Sequence, residues 1–161
     1  MKKRMLNLIK GISLVVLSFI AGFSIAFFFE SFLRGTIQDI FRLSTSNKIH
    51  FYGKNMFIFS DRLFKYFLGL SILIFIYANL RKNFKNIITN TLICLFIFGI
   101  AIFLISAIDA NIKVLECTNC KDGIRGLHWT DINYDFIIGA SAIISTIPYL
   151  VRITKHLKKD Y

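Results

Sequence analysis

The sequence predicts an all-α membrane protein, a bundle of four transmembrane helices with both termini on the cytoplasmic side and a small ordered cap outside. Three observations carry that expectation. Four stretches are apolar for the length of a membrane span, apolar residues make up 55% of the chain with Phe alone contributing 18, and the excess of Lys and Arg over Asp and Glu gathers almost entirely to one side of the spans. A soluble domain of 161 residues cannot hide that much apolar surface, and large exposed patches drive association. A hydrocarbon core about 30 Å thick, by contrast, accepts any helix of roughly 20 apolar residues. Residues 1–161 therefore read as a single integral membrane domain, with no room for a soluble domain of ordinary size.

Span one is expected at about residues 9–29, preceded by Lys2, Lys3, Arg4 and Lys10. The charge order resembles a signal peptide, and Ser24 and Ala26 are small enough for a cleavage site. A secretory apolar core is only about 7–15 residues long, whereas this one continues through Phe27, Phe28 and Phe29, so an uncleaved signal anchor is the reading. Span two is placed at about 63–80, with Tyr66 and Tyr77 near its ends, where amphipathic rings favour the headgroup level. Span three is placed at about 87–108. The short basic connection between them, with Arg81, Lys82 and Lys85, predicts an antiparallel helical hairpin. Span four, about 136–151, is short, with Trp129, Tyr134 and Tyr149 at plausible interface levels and Arg152, Lys155, Lys158 and Lys159 after it.

Orientation follows from charge. With the N-terminus inside, the inner segments carry every one of those basic residues and a single acid, Asp160. The outer segments, 30–62 and 109–135, together with Lys65 at the outer end of span two, nearly balance: Arg34, Arg42, Lys48, Lys54, Arg62, Lys65, Lys113, Lys121 and Arg125 face Glu30, Asp39, Asp61, Asp109, Glu116, Asp122, Asp131 and Asp135. The net charge of +11 is thus the positive-inside bias, and direct nucleic-acid binding is disfavoured. The abundance of Ile, Phe, Lys and Asn hints at an AT-rich bacterial genome, which places the chain in a bacterial inner membrane.

The outer segments have patterns of their own. Leu33, Ile37, Ile40 and Phe41 recur at helical spacing opposite Arg34, Gln38, Asp39 and Arg42, which predicts a short amphipathic helix lying in the interface plane. Residues 49–52 and 56–59 flank Gly53-Lys54-Asn55 and read as a β-hairpin. A lone hairpin is marginal in water, and the segment 113–116 could support it.

Cys117-Thr118-Asn119-Cys120 is the sharpest local feature. In an oxidising compartment it suits a small structural disulfide. The same spacing also serves thiol–disulfide exchange, but the second cysteine pair that a membrane relay needs is missing, Cys94 lying near the middle of span three. A metal reading would combine Cys117, Cys120 and His128 with Asp122 or Asp131, without the two well-spaced pairs usual for zinc. His50, His128 and His156 have no carboxylate at a catalytic spacing, and nucleophile-elbow, dinucleotide and phosphate-loop patterns are absent. No catalytic residue, metal or cofactor is therefore assigned.

The spans carry no ionisable residue near their middle, which disfavours ion-coupled transport through one chain. Ser18, Gly22 and Ala26 repeat every fourth residue, and Gly139, Ala142 and Ser145 make a small, weakly polar face. Such spacing brings helices close, within one bundle or between copies. Pro148 frees the carbonyl of Ile144, which Ser145 or Thr146 could recapture. Lys2, Lys3, Arg4, Arg81, Lys82, Lys85, Arg152, Lys155 and Lys159 are the candidate cytoplasmic contacts, to anionic lipid first and to an acidic protein partner second.

The expectation for function is a non-enzymatic accessory or subunit of a membrane complex in contact with the lipid bilayer. It would be a homo-oligomer or bound to another membrane or cytoplasmic protein. One concrete version is a pore-forming partner of a cytoplasmic effector, as in bacterial defence systems. The alternative is a membrane thiol–disulfide oxidoreductase using Cys117 and Cys120.

Overall fold

A computed structural model describes residues 2–45, 49–53, 62–80, 82–116, 120–121 and 124–157. In chain order these form α1 (Lys2–Thr45), β1 (Ile49–Tyr52), α2 (Phe64–Asn79), α3 (Phe84–Glu116), β2 (Cys120–Lys121), β3 (Ile124–His128), a 3-10 turn (Trp129–Asp131) and α4 (Tyr134–Leu157). The segments Ile9–Thr45, Phe84–Leu115 and Trp129–Lys155 are long and apolar enough to cross a membrane. α2 is apolar but has 16 residues, a length of about 24 Å at 1.5 Å per residue.

In apolar surroundings a backbone must satisfy its own hydrogen bonds, and a helix does so within one segment. Side-chain hydroxyls follow the same logic. Ser18 donates to the Leu14 carbonyl at 2.8 Å and Ser141 to that of Ile137 at 2.6 Å. Beside Pro148, the Ser145 and Thr146 hydroxyls go to the carbonyls of Ala142 and Ile143. Neither reaches Ile144, contrary to the sequence expectation.

The helices pack in a ring. α1 lies against α2 and α3, and α4 lies against α2 and α3. α2 and α3 follow one another through the short connection and meet at its end through Asn79 and Asn90, while along the rest of their lengths each packs on α1 and α4. The closest approach is between α1 and α2, where a Cβ on Gly22 would come within 2.5 Å of the Gly69 backbone. Ser18 and Ala26, one turn to either side of Gly22, are fully buried. Gly139 meets the Phe67 ring, where an added Cβ would lie 2.8 Å from the ring edge.

The interfacial helix expected at 33–42 is not a separate element. α1 continues unbroken to Thr45, since no proline interrupts it, the chain's single Pro being Pro148. Its apolar stripe of Leu33, Ile37, Ile40 and Phe41 is buried in one core cluster with Ile49, Leu127, Trp129 and Ile132. That packing supplies a protein partner for the face that the sequence reading gave to a lipid surface. α3 likewise runs on to Glu116, so residues 113–116 are its last turn and not a supporting strand.

β1 forms where expected, and among the described residues it pairs with a strand from far along the chain. It pairs in parallel with β3, Ile49 opposite Arg125 and Tyr52 opposite His128. β2 pairs antiparallel with β3, giving the order β1-β3-β2. The second strand of the expected hairpin, 56–59, lies outside the described residues. Gly53 ends β1 with φ +92°, and a Cβ there would overlap the His128 ring, so glycine is required on both counts.

The Gly22–Gly69 contact yields the first test. Gly22→Val is expected to lower stability by about 1–3 kcal/mol, as overpacking does. Gly99→Ala, where an added Cβ meets nothing within 4 Å, is expected to stay within about 0.5 kcal/mol. Thermal unfolding in mild detergent compares the two.

Candidate functional site

Polar side chains collect at the two ends of the helix ring, and a cavity lies between them. At the end where α2 and α4 begin, α2 has no cap of its own at Leu63. Its first amide, Phe64 N–H, donates instead to Asp135 Oδ1 on α4, 3.0 Å away. The other carboxylate oxygen faces Arg62 at 3.8 Å. A carboxylate is well placed at a helix N-terminus, where unpaired amides and the helix dipole favour negative charge. One side chain thus ties two helices together and anchors the cation preceding them.

The same end joins α1 to α4. Gln38 donates to the Tyr134 hydroxyl at 2.8 Å, and that hydroxyl donates to the Trp129 carbonyl at 3.2 Å. Trp129 is held between the Phe51 ring, stacked at 4.5 Å, and the Arg42 guanidinium, 5.0 Å from its centroid. Arg62 lies 5.8 Å from the Tyr134 ring, and the Lys65 ammonium sits near the Phe23 and Tyr66 rings. His128 and Asp131, two of the candidate metal ligands, are occupied in capping the 3-10 turn. His128 Nδ1 accepts from Thr130 N–H, and Asp131 Oδ2 accepts from His128 N–H. Among the described residues no group of His, Cys, Asp and Glu is arranged to hold a metal ion.

At the opposite end three helices meet through amides. Asn90 on α3 donates to Asn79 Oδ1 on α2 at 2.5 Å, Asn79 donates to its own Phe75 carbonyl, and Tyr149 on α4 donates to the Asn90 carbonyl at 2.6 Å. The Phe75 and Tyr149 rings meet edge to face. Asn79 is the last residue of α2 and Asn90 lies in the second turn of α3. The short connection between α2 and α3 brings the two amides together, and Tyr149 joins them because α4 packs against both helices.

Between these polar ends lies a cavity of about 240 Å³ to which all four helices contribute. Ile25 comes from α1, Leu68, Ser71, Ile72 and Phe75 from α2, Thr91, Cys94, Leu95 and Phe98 from α3, and Ala142, Ser145 and Thr146 from α4. The Cys94 thiol is free and lies 3.6 Å from Ser145 Oγ. Sequence reading singled out Ala142 and Ser145 as a small, weakly polar face and placed Cys94 near the middle of its span, but did not find the cavity wall they share with Ser71.

The remaining candidates are dispersed. Ser18, Gly22 and Ala26 face α2 within the chain, and Gly139, Ala142 and Ser145 are buried. Lys82, Lys85 and Lys155 are exposed, and the Arg152 guanidinium lies 5.8 Å from the Tyr149 ring. Lys2, Lys3 and Arg4 stand in the first turn of α1, while Arg81 and Lys159 lie outside the described residues. So does Cys117, and Cys120 is placed only as the first residue of β2. The thiol pair therefore has no described geometry.

Asp135 gives the second test. Asp135→Ala is expected to cost about 1–2 kcal/mol through the lost α2 cap. Asp135→Asn, which keeps an accepting oxygen, is expected to recover about half of that. Chemical unfolding of both variants in detergent measures the difference. Compared with family models, with curated proteins and with solved structures, this chain matches none of them.

Proposed function

We propose that the chain is a non-enzymatic, four-span membrane subunit that self-associates in a bacterial cytoplasmic membrane, as an accessory to a larger complex. Both termini lie in the cytoplasm and the three-stranded sheet lies outside. The observation that carries the reading is the outward apolar surface of α3. Leu92, Phe96, Phe103 and Leu104 are each more than half exposed. Gly99 leaves a notch among them, bounded by Leu95, Phe96, Ile100, Phe103 and Leu104. A small residue flanked by large ones lets a second helix approach closely in a bilayer. The stripes Ser18–Gly22–Ala26 and Gly139–Ala142–Ser145 are already buried against the chain's own helices, which leaves the notch on α3 as the face for a second copy.

A crossing by α2 is supported by its neighbours. It runs parallel to α4, level with it from Asp135 at one end to Tyr149 at the other, and α4 belongs to a segment long enough to span. A short apolar helix is accommodated by local thinning of the bilayer at modest cost. Four crossings return both ends to one side, and the basic residues of that side, Lys82, Lys85 and Lys155 among them, favour the cytoplasm.

Two measurements test this. Reporter fusions at Asn83 and Tyr161 are expected on the cytoplasmic side and one at Gly53 outside, and an exterior reporter at Asn83 or Tyr161 would overturn the topology. Native mass spectrometry from lipid nanodiscs is expected to show oligomers that Gly99→Leu, filling the notch, shifts towards monomer with little change in thermal midpoint. A strictly monomeric wild-type protein in both detergent and lipid would sink the assembly reading.

A further inference from the structure

We propose that the central cavity binds a membrane-dissolved apolar molecule bearing one carbonyl oxygen, recognised by the Ser71 hydroxyl. The cavity, at about 240 Å³, exceeds an engineered apolar cavity of about 150 Å³ that admits benzene. Its walls are aliphatic and aromatic side chains, with few polar atoms among them.

The hydroxyls on those walls are not equivalent. Those of Thr91, Ser145 and Thr146 are each spent on a backbone carbonyl one turn earlier, which makes them poor donors to a guest. Ser71 is 6% exposed, and its Oγ has no hydrogen-bond partner. A buried hydroxyl left unpaired is costly and calls for an explanation. A guest that accepts its hydrogen bond supplies one.

The position of Ser71 narrows the guest. It stands midway along α2, where a bilayer is pure hydrocarbon. Water at that depth needs two to four polar partners, which these walls do not offer. An alkyl chain fills the space but leaves the hydroxyl unpaired. The ester oxygens of a phospholipid remain at headgroup level. A ketone-like or quinone-like carbonyl on an apolar body meets both demands. The route in is lateral: the lining residues that reach the surface include Ile25 on α1, 42% exposed, and Leu95 on α3, 59% exposed.

The test uses the full chain in nanodiscs with 2-octanone and octane, which differ chiefly by the carbonyl. Cys94 borders the cavity, so a bound guest should slow its modification by methyl methanethiolsulfonate, followed on the Cys94 peptide by mass spectrometry. The thermal midpoint repeats the comparison without the thiol. 2-Octanone is expected to protect Cys94 and raise the midpoint at lower membrane concentration than octane. Ser71→Ala is expected to raise the half-protecting concentration of 2-octanone about 3- to 10-fold, the worth of one hydrogen bond, and to leave that of octane unchanged. Ala142→Phe, which fills the cavity, should abolish both effects; should it fail to fold, Ser71→Ala decides. Equal protection by the two probes in the wild type, or an unchanged ketone response in Ser71→Ala, would overturn the proposal. So would a wild-type protein that neither probe protects or stabilises. None of these outcomes depends on whether the chain self-associates.

Discussion

The requirement that polar groups find hydrogen-bond partners where water is scarce governs this structure. It makes the backbone helical and turns the hydroxyls of Ser18, Ser141, Ser145 and Thr146 back onto their own helices. It also concentrates side-chain links between helices at the ends of the ring. Asp135, Arg62, Gln38 and Tyr134 form one clasp, and Asn79, Asn90 and Tyr149 form the other. Between the clasps the helices are held by shape, apart from the weak contact of Cys94 with Ser145. Shape is a strong constraint, since an interior packed like a crystal tolerates little added volume.

Shape also accounts for the cavity. α1 and α2 touch backbone to backbone at Gly22 and Gly69, whereas α2 and α3 meet at the end of their connection and otherwise each pack on α1 and α4. A ring with one very close edge and an open diagonal leaves space along that diagonal, and the lining of the cavity is drawn mainly from α2 and α3. The hydroxyls of Ser71 and Ser106 are exceptions to the governing requirement, and that of Ser71 belongs to a side chain on the cavity wall, where the packing is incomplete.

The sheet couples two distant parts of the chain. Parallel pairing of β1 with β3 needs a long crossover, and α2 and α3 with their flanking segments are that crossover. The pairing brings Phe51 onto Trp129 and places Trp129 beneath Arg42, so the end of α1, the sheet and the start of α4 share one apolar core. This explains why α1 continues straight beyond its most apolar stretch and does not bend into an interface.

Local chemistry was sufficient to identify the long apolar helices, the strand at 49–52 and the close-packing role open to Gly22, because hydropathy, β-propensity and residue size are properties of short windows. The interfacial helix and the supporting role of 113–116 were misjudged for a common reason. Each was read from its own short window, whereas the packing of α1 onto the sheet and the length of α3 are set by distant residues. Asp135 capping a helix that begins 71 residues earlier, Tyr149 reaching the Asn90 carbonyl and four helices lining the cavity at Ser71 all depend on which helix stands beside which. That choice is made by the summed fit of whole surfaces, the Gly22–Gly69 contact foremost among them, and no short window of residues contains it.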